Sequence, residues 1–304
     1  MTKSEPLIWE EAIETLQTAR DFIRFGATRF MRADLFFGHG FPDALSESRY
    51  LVSYALQLNV SQSEQWLDAK LTASECAQVL DLLKLRCNSR QPAAYLTGEA
   101  WIAGFRFRVD PRTIVPRSLI AELLEDEALA PWLDIASTQR IADICTGGAS
   151  LAILLALLAP DAEVDAVDLS TEALEVAELN VSDYHMQSRV HLLHGDLLHP
   201  LSGNYDLIIS NPPYVDADAM ASLPAEYRTE PVMSLESGED GLDHARALIT
   251  GAADYLSSNG ILMVEIGHQR ANLELCFPDL PFTWLESRDG GTYVFVLRQQ
   301  DLGA

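Results

Sequence analysis

The sequence predicts an α/β fold in which a doubly wound, mostly parallel sheet carries a terminal antiparallel hairpin and follows a small helical N-terminal domain. Three observations predict it. From Arg140 onward, short apolar runs alternate with helix-like stretches, the pattern of a parallel sheet with crossover helices. The tail has two further strand patterns around Asp289-Gly290-Gly291, which reads as a hairpin and makes at least one of those strands antiparallel. The first ninety or so residues instead carry helical spacing of their apolar positions.

The elements follow in order. Trp9 to Phe25 places Ile13, Leu16, Phe22 and Ile23 on one apolar side of a helical stretch, and Ser48 to Leu58 does the same with Tyr50, Leu51, Tyr54, Ala55 and Leu58. Between them, Phe37-Gly38-His39-Gly40-Phe41-Pro42 is a loop by its glycines and proline. Thr72-Ala73-Ser74-Glu75 has the form of a capping box, opening a helix that runs to about Cys87. Residues 96–115 alternate, with Phe105, Phe107 and Val109 opposite Arg106 and Arg108, and are punctuated by Gly98 and Gly104. This predicts a linking β-hairpin. Strands are expected at 140–145, 163–168, 190–194, 205–210 and 260–266, and the final hairpin at Phe282–Ser287 and Thr292–Leu297. The expected organisation is a helical domain over 1–95, a hairpin over 96–117, and a sheet domain over 118–304.

Composition limits the function classes. The chain has 304 residues, 48% hydrophobic and 22% charged, enough for two domains and a sizeable core. Its start, Met1-Thr2-Lys3-Ser4-Glu5-Pro6, lacks the basic and apolar regions of a signal peptide. The longest apolar run, Leu151 to Ala159, is too short for a membrane span. Cys76, Cys87, Cys145 and Cys276 have no paired spacing and read as reduced, mostly buried thiols of a cytoplasmic protein. The seven histidines show no metal-ligand spacing, and His191 and His194 read as structural. No metal site is expected. The net charge of −24 is unevenly placed: −2 over residues 1–98 and −22 over the rest, with no lysine after Lys84. Such a field disfavours a nucleic-acid footprint on the second half and attracts a basic partner. The sequence carries no sign of oligomeric state.

The most informative motif is Asn211-Pro212-Pro213-Tyr214, which follows the strand pattern Tyr205–Ser210. The prolines stop the strand and hold Asn211 and Pro212 extended. The set lies at the C-terminal end of a strand, where open α/β sheets bind ligands. It suits a planar NH₂ group: the Asn211 side-chain oxygen and the Pro212 carbonyl accept its two protons, and Tyr214 stacks on its plane. Three acids precede it. Asp143 ends the first strand, before the turn Cys145-Thr146-Gly147-Gly148-Ala149, where it could accept from a ligand ammonium. Asp168 ends the second strand, about 20 residues beyond the turn, the place of a ribose-binding carboxylate. It could equally cap the next helix through Asp168-Leu169-Ser170. Asp196, beside Leu197, follows the third strand and suits an adenine amine. The turn does not supply Gly-x-Gly-x-x-Gly, so a dinucleotide fits poorly. S-adenosylmethionine, with an ammonium, a ribose and an adenine but no phosphate, fits better.

These residues make the chain resemble the class I S-adenosylmethionine methyltransferases and, more closely, the protein-glutamine methyltransferases. The likeness covers nearly the whole chain. It is carried by Phe37-Gly38-His39-Gly40, Ala94-Tyr95-Leu96-Thr97, Val115-Pro116-Arg117-Ser118, Asn211–Asp216, Leu223-Pro224-Ala225-Glu226-Tyr227-Arg228 and Ser237-Gly238-Glu239-Asp240-Gly241-Leu242. The branch acting on the large-subunit ribosomal protein L-three is the most similar. The release-factor branch usually has Pro-Arg-Pro-Asp-Thr-Glu where this chain has Pro116-Arg117-Ser118-Leu119-Ile120-Ala121. The resemblance implies methyl transfer from S-adenosylmethionine, with S-adenosylhomocysteine as product, to a glutamine amide nitrogen of a basic ribosomal protein. Substrate choice would fall to the N-terminal helices and the His39 loop. Alternatives are glutamine methylation of release factors, adenine amino-methylation of DNA, and a non-catalytic binding protein.

One departure matters. The family's first loop usually reads Thr-Gly-Ser-Gly or Thr-Gly-Thr-Gly, and here it is Thr146-Gly147-Gly148-Ala149. If position 149 needs positive φ, or packs on the methionine part of the cofactor, the extra methyl group weakens binding. If it is the first helical residue, alanine is harmless.

Overall fold

The computed structural model describes residues 5–59 and 64–302. Met1–Ser4, read above for a targeting signal, lies outside them. The chain divides into two compact units, Met1–Glu99 with Pro224–Thr229, and Ala100–Leu223 with Glu230–Ala304. The division falls four residues beyond the expected position 95, and the hairpin beyond Glu99 belongs to the second unit. Nothing in the sequence pattern assigns Pro224–Thr229 to the helical unit.

The first unit holds α1 (Glu5–Thr15), α2 (Ala19–Arg32), α3 (Ala44–Ala55), α4 (Ala73–Ser89) and α5 (Ala93–Thr97). The expected single stretch from Trp9 to Phe25 is two helices. Thr18 breaks it: its hydroxyl accepts from the Asp21 N–H, and the Asp21 carboxylate accepts from the Thr18 N–H. That reciprocal cap satisfies donors that a continuous helix would have used otherwise. The Thr72–Glu75 capping box forms as expected at the start of α4. Helix α3 starts four residues before Ser48, where Asp43 caps it. Phe22, Phe30, Leu51, Val79 and Leu83 form the core of this unit. Glu226, from the returning segment, pairs with Arg90 at 2.8 Å, and Arg86 pairs with Glu47 at 2.5 Å. Tyr227 packs against the His39 ring, with centroids 4.4 Å apart.

The second unit opens within a two-stranded hairpin, β1 (Glu99–Ile102) and β2 (Phe105–Arg108), of which all but Glu99 belongs to it. Phe107 is fully buried, whereas Phe105, expected on the same side, is exposed. Short α6 (Leu119–Glu125) follows. The sheet is then built from β3 (Arg140–Ile144), α7 (Ser150–Leu158), β4 (Glu163–Asp168), α8 (Thr171–Asp183), β5 (Val190–His194) and β6 (Tyr205–Ser210). It continues with α9 (Ala217–Ser222), α10 (Asp243–Gly251), β7 (Leu256–Glu265), α11 (Arg270–Cys276), β8 (Thr283–Leu285), β9 (Val294–Arg298) and α12 (Gln299–Leu302). Strand order is β5-β4-β3-β6-β7-β9-β8. All neighbours from β5 to β7 are parallel, and β9 is antiparallel to both β7 and β8.

Successive residues of the central strands enter opposite cores. Ile141, Leu207 and Ile209 join α6 and α7 on one face, while Ala142, Ile144 and Ile208 join α10 on the other. Burial on both faces explains the near-continuous apolar runs in the sequence. Among the described residues, no helix is long and apolar enough to cross a membrane, and no group of three or more His, Cys, Asp or Glu side chains is placed to hold a metal. The four cysteines are free, but only Cys76 is buried. Cys276 is exposed and Cys87 and Cys145 are half-buried, so the expectation of mostly buried thiols is corrected. His191 sits on β5 with its Nε2 2.5 Å from the Glu163 carboxylate on β4.

Candidate active site

Strand order alone gathers the predicted residues. Asp196 and Leu197 follow β5, Asp168 ends β4, Asp143 and the turn 145–149 end β3, and Asn211–Tyr214 follow β6. Since these four strands are neighbours, the residues lie in that order along one C-terminal edge, roughly 14 Å from first strand to last at the spacing of a sheet. Such an edge, where chain order reverses from β3 to β6, is a ligand site of open parallel sheets.

The turn after β3 departs from ordinary backbone geometry. Cys145, Gly147 and Ala149 all have positive φ, at 60°, 55° and 61°. Asp143 organises the turn. Its Oδ2 accepts from the Thr146 hydroxyl at 2.6 Å and the Ala152 N–H at 3.0 Å, while Oδ1 is buried with no hydrogen-bond partner. Asp143 itself is only 1% exposed, and burial pushes its carboxyl up to about 7. The ligand-facing acid expected here is therefore first a buried anchor of the loop, with one oxygen left to accept. Asp168 is half-buried and accepts from the Gly147 N–H at 2.8 Å and the Ser170 N–H at 2.8 Å. It thus serves the turn and the start of α8 together. Asp196 is exposed, and Leu197 has φ 45°.

Ala149 meets the first of the two conditions stated for it: it stands before α7 with φ 61°. Its methyl group is fully buried among the apolar residues of α7 and β3. The cost therefore falls on the backbone, which an alanine holds in the left-handed region with about 1 kcal/mol of strain.

Asn211 is oriented by its surroundings. Its Nδ2 donates to the Arg117 carbonyl at 3.2 Å, and its Oδ1 is buried with no hydrogen-bond partner. A carbonyl can only accept, so the amide must turn its NH₂ toward Arg117 and its oxygen away. Pro212 and Pro213 are buried. The Tyr214 ring lies on Gly267, where an added Cβ would come within 2.9 Å of it, and Gly267 has φ 55°. Downstream, Val215 is held in a parallel bridge to Glu236, and Asp216 caps α9. The Ser210 hydroxyl at the end of β6 donates to the Ile144 carbonyl at the end of β3, 2.7 Å away.

Sequence reading missed four residues that build this edge. Glu230, fully buried, binds the Arg117 guanidinium through both its oxygens. Glu265 accepts from the Ser118 hydroxyl and the Leu119 N–H, and burial pushes it up to about 7. Asn180 on α8 donates to the Gly148 and Arg108 carbonyls and accepts from the Arg108 N–H, joining the turn to the hairpin. Gly267 seats Tyr214. For Asn180 and Glu265 a signal existed: each is a polar residue at a position whose neighbours are patterned for burial, which demands a partner. Glu230 and Gly267 carry no such local mark.

The model of the methyltransferase small domain matches residues 125–226, and that of the PrmC N-terminal domain matches residues 33–98. The ribosomal protein uL3 glutamine methyltransferase of Neisseria meningitidis serogroup A is 48% identical over 97% of this chain and 98% of its own. The proteins of the same name from Bordetella pertussis and Bradyrhizobium diazoefficiens are 47% and 44% identical, over 95% and 94% of this chain and 97% and 92% of theirs. Among solved structures, the hMettl16 catalytic domain in complex with MAT2A 3'UTR hairpin 6 shares the fold. It has a TM-score of 0.50 at 16% identity over 74% of this chain and 81% of that one. From the full-length relatives, the chain belongs to the ribosomal protein uL3 glutamine methyltransferase family of class I methyltransferases.

Proposed function

We propose that this chain transfers a methyl group from S-adenosylmethionine to the side-chain amide nitrogen of a glutamine in ribosomal protein uL3. One observation carries the chemical part of the reading: the buried Oδ1 of Asn211, held toward the site by the bond from Nδ2 to Arg117, is an acceptor with no partner of its own. A buried acceptor costs about 1–3 kcal/mol while unsatisfied, and a substrate N–H restores that.

The residues along the edge fit the cofactor end to end. Asp196 and Leu197 would hold the adenine, and Asp168 the ribose hydroxyls. The backbone of Cys145, Thr146, Gly147, Gly148 and Ala149, with the remaining oxygen of Asp143, would hold the methionine end. When bound, S-adenosylmethionine supplies a methyl group on a positively charged sulfur. The protein's part is positioning. A glutamine nitrogen is a poor nucleophile because its lone pair is shared with the carbonyl. The Asn211 oxygen and the Pro212 carbonyl would accept its two N–H bonds and favour positive charge developing on nitrogen. Tyr214 would pack on the amide plane, with its ring fixed by Gly267. The nitrogen becomes far more acidic after transfer, so its proton can leave to water.

We assign substrate choice to the helical unit, whose Gly38-His39 loop is packed by Tyr227. A basic ribosomal protein would be drawn by the net charge of −22 on residues 99–304. Its site of synthesis would place the reaction in the cytoplasm. The test is transfer of labelled methyl to purified uL3 and, separately, to a peptide-chain release factor. Label on a glutamine of uL3 alone supports the assignment. Label on the release factor alone moves the substrate, and label on neither overturns the reading.

A further inference from the structure

We infer that Glu230 is a positioning residue for the reaction, acting through Arg117 to dictate which way the Asn211 amide faces. This rests on the role proposed for Asn211 above and adds the group that enforces it.

The argument begins with a symmetry problem. The two ends of an asparagine amide are nearly the same size, so packing alone does not choose between them, and a flip would present NH₂ where an acceptor is required. In this structure the choice is made by one carbonyl, that of Arg117, 3.2 Å from Nδ2. A carbonyl in a loop can move, and this one is prevented from moving at four points. The Arg117 guanidinium is bound by both Glu230 oxygens at 2.6 Å each. The Val115 N–H donates to the same carboxylate at 3.0 Å. On the far side, the Ser118 hydroxyl and the Leu119 N–H donate to Glu265 at 2.7 and 2.9 Å. Two acids thus hold Val115–Leu119 from both ends, leaving the Arg117 carbonyl between them. A planar two-point Arg–carboxylate grip fixes orientation as well as distance. The Glu230 side chain is fully buried, where such a pair tolerates no replacement by water.

Glu230→Gln replaces one acceptor oxygen by an NH₂ group that faces the guanidinium, so the two-point grip is lost while shape is kept. The expected result is a fall in kcat of roughly 10- to 100-fold, the range for misplacing a reacting group. KM for the protein substrate and the affinity for S-adenosylmethionine should each stay within about threefold, since the cofactor contacts are untouched and the one amide bond lost is a small part of the contact with a protein substrate. Glu230→Asp, which keeps both oxygens, should recover part of the rate. A direct readout is the Asn211 side-chain NH₂ resonance of ¹⁵N-labelled protein, identified by its loss in Asn211→Ala. It should move toward the position of an unbonded amide in Glu230→Gln. An unmoved resonance with unchanged kcat, or a loss confined to melting temperature and KM, would overturn the inference. Should the wild-type chain methylate no glutamine, the proposed function falls, and the resonance still decides whether Glu230 orients Asn211.

Discussion

Two loops meet at the sheet edge, after β3 and after β6, joined by the bond from Ser210 to the Ile144 carbonyl, and they are made by opposite means. The β3 loop is shaped by left-handed backbone at Cys145, Gly147 and Ala149. The β6 loop has no positive φ from Asn211 to Tyr214 and is shaped by two prolines. Each has a buried acid beside it that accepts one hydroxyl and one N–H: Asp143 from Thr146 and Ala152, Glu265 from Ser118 and Leu119. The difference suits the two tasks proposed for them. A cofactor is held by backbone that comes close to it, which positive φ permits. A reacting amide must be aimed, which stiff backbone and fixed side chains permit.

The largest effect expected from breaking either loop is that of Asp168→Ala. It removes the carboxylate that caps the β3 turn at Gly147 and would hold the ribose, so calorimetry should show S-adenosylmethionine affinity falling roughly 1,000-fold, as for several charge-assisted bonds lost together.

On the other side, Glu265→Gln tests the buried acid through pH. The folded carboxyl has its ionisation raised from 4.5 to about 7, so the folded state keeps a proton that the unfolded chain releases. The stability this contributes is fully present below about pH 4.5 and is lost as pH rises through about 7. The neutral variant should therefore flatten the pH dependence of unfolding over that window. Denaturant melts at pH 8 should show it more stable than wild type by on the order of 3 kcal/mol. Asp143, raised from 3.8 to about 7, leaves a similar slope in the variant.

Gly267→Ala has a smaller effect, and it falls on the chemistry. The new methyl group would come within 2.9 Å of the Tyr214 ring, at a residue with φ 55°. Turnover should drop about tenfold and stability by about 1–2 kcal/mol, read from kcat and thermal melting.

Smallest is Ala149→Gly. It relieves the left-handed strain but gives up a buried methyl group and adds freedom to the unfolded chain. A net loss of about 0.5 kcal/mol in melting experiments is expected, since the lost methyl group and the freer unfolded chain together outweigh about 1 kcal/mol of relieved strain.

The same comparison shows what a sequence discloses. Strands 163–168, 190–194 and 205–210 were legible to the residue, although only 205–210 is a near-continuous apolar run buried on both faces; 163–168 carries three acids and 190–194 is a mostly half-buried edge strand. Asn211-Pro212-Pro213-Tyr214 was legible as a place at the end of β6, since prolines act locally. What remained hidden was set at long range. The facing of Asn211 depends on a carbonyl 94 positions away, and Arg117 on an acid 113 positions away. The break between α1 and α2 was hidden for another reason: the apolar spacing continues across it, and the Thr18–Asp21 cap prevails over that pattern. For Ala149 the sequence leaves two conformations open, and the backbone decides between them with φ 61°.

The most direct test of this division of labour is to measure cofactor affinity and single-turnover methyl transfer together in Asn211→Ala. The account predicts affinity within about threefold of wild type and a transfer rate lower by at least roughly 100-fold, with unchanged melting. Near-normal transfer, or a loss explained by weakened cofactor binding, would contradict it.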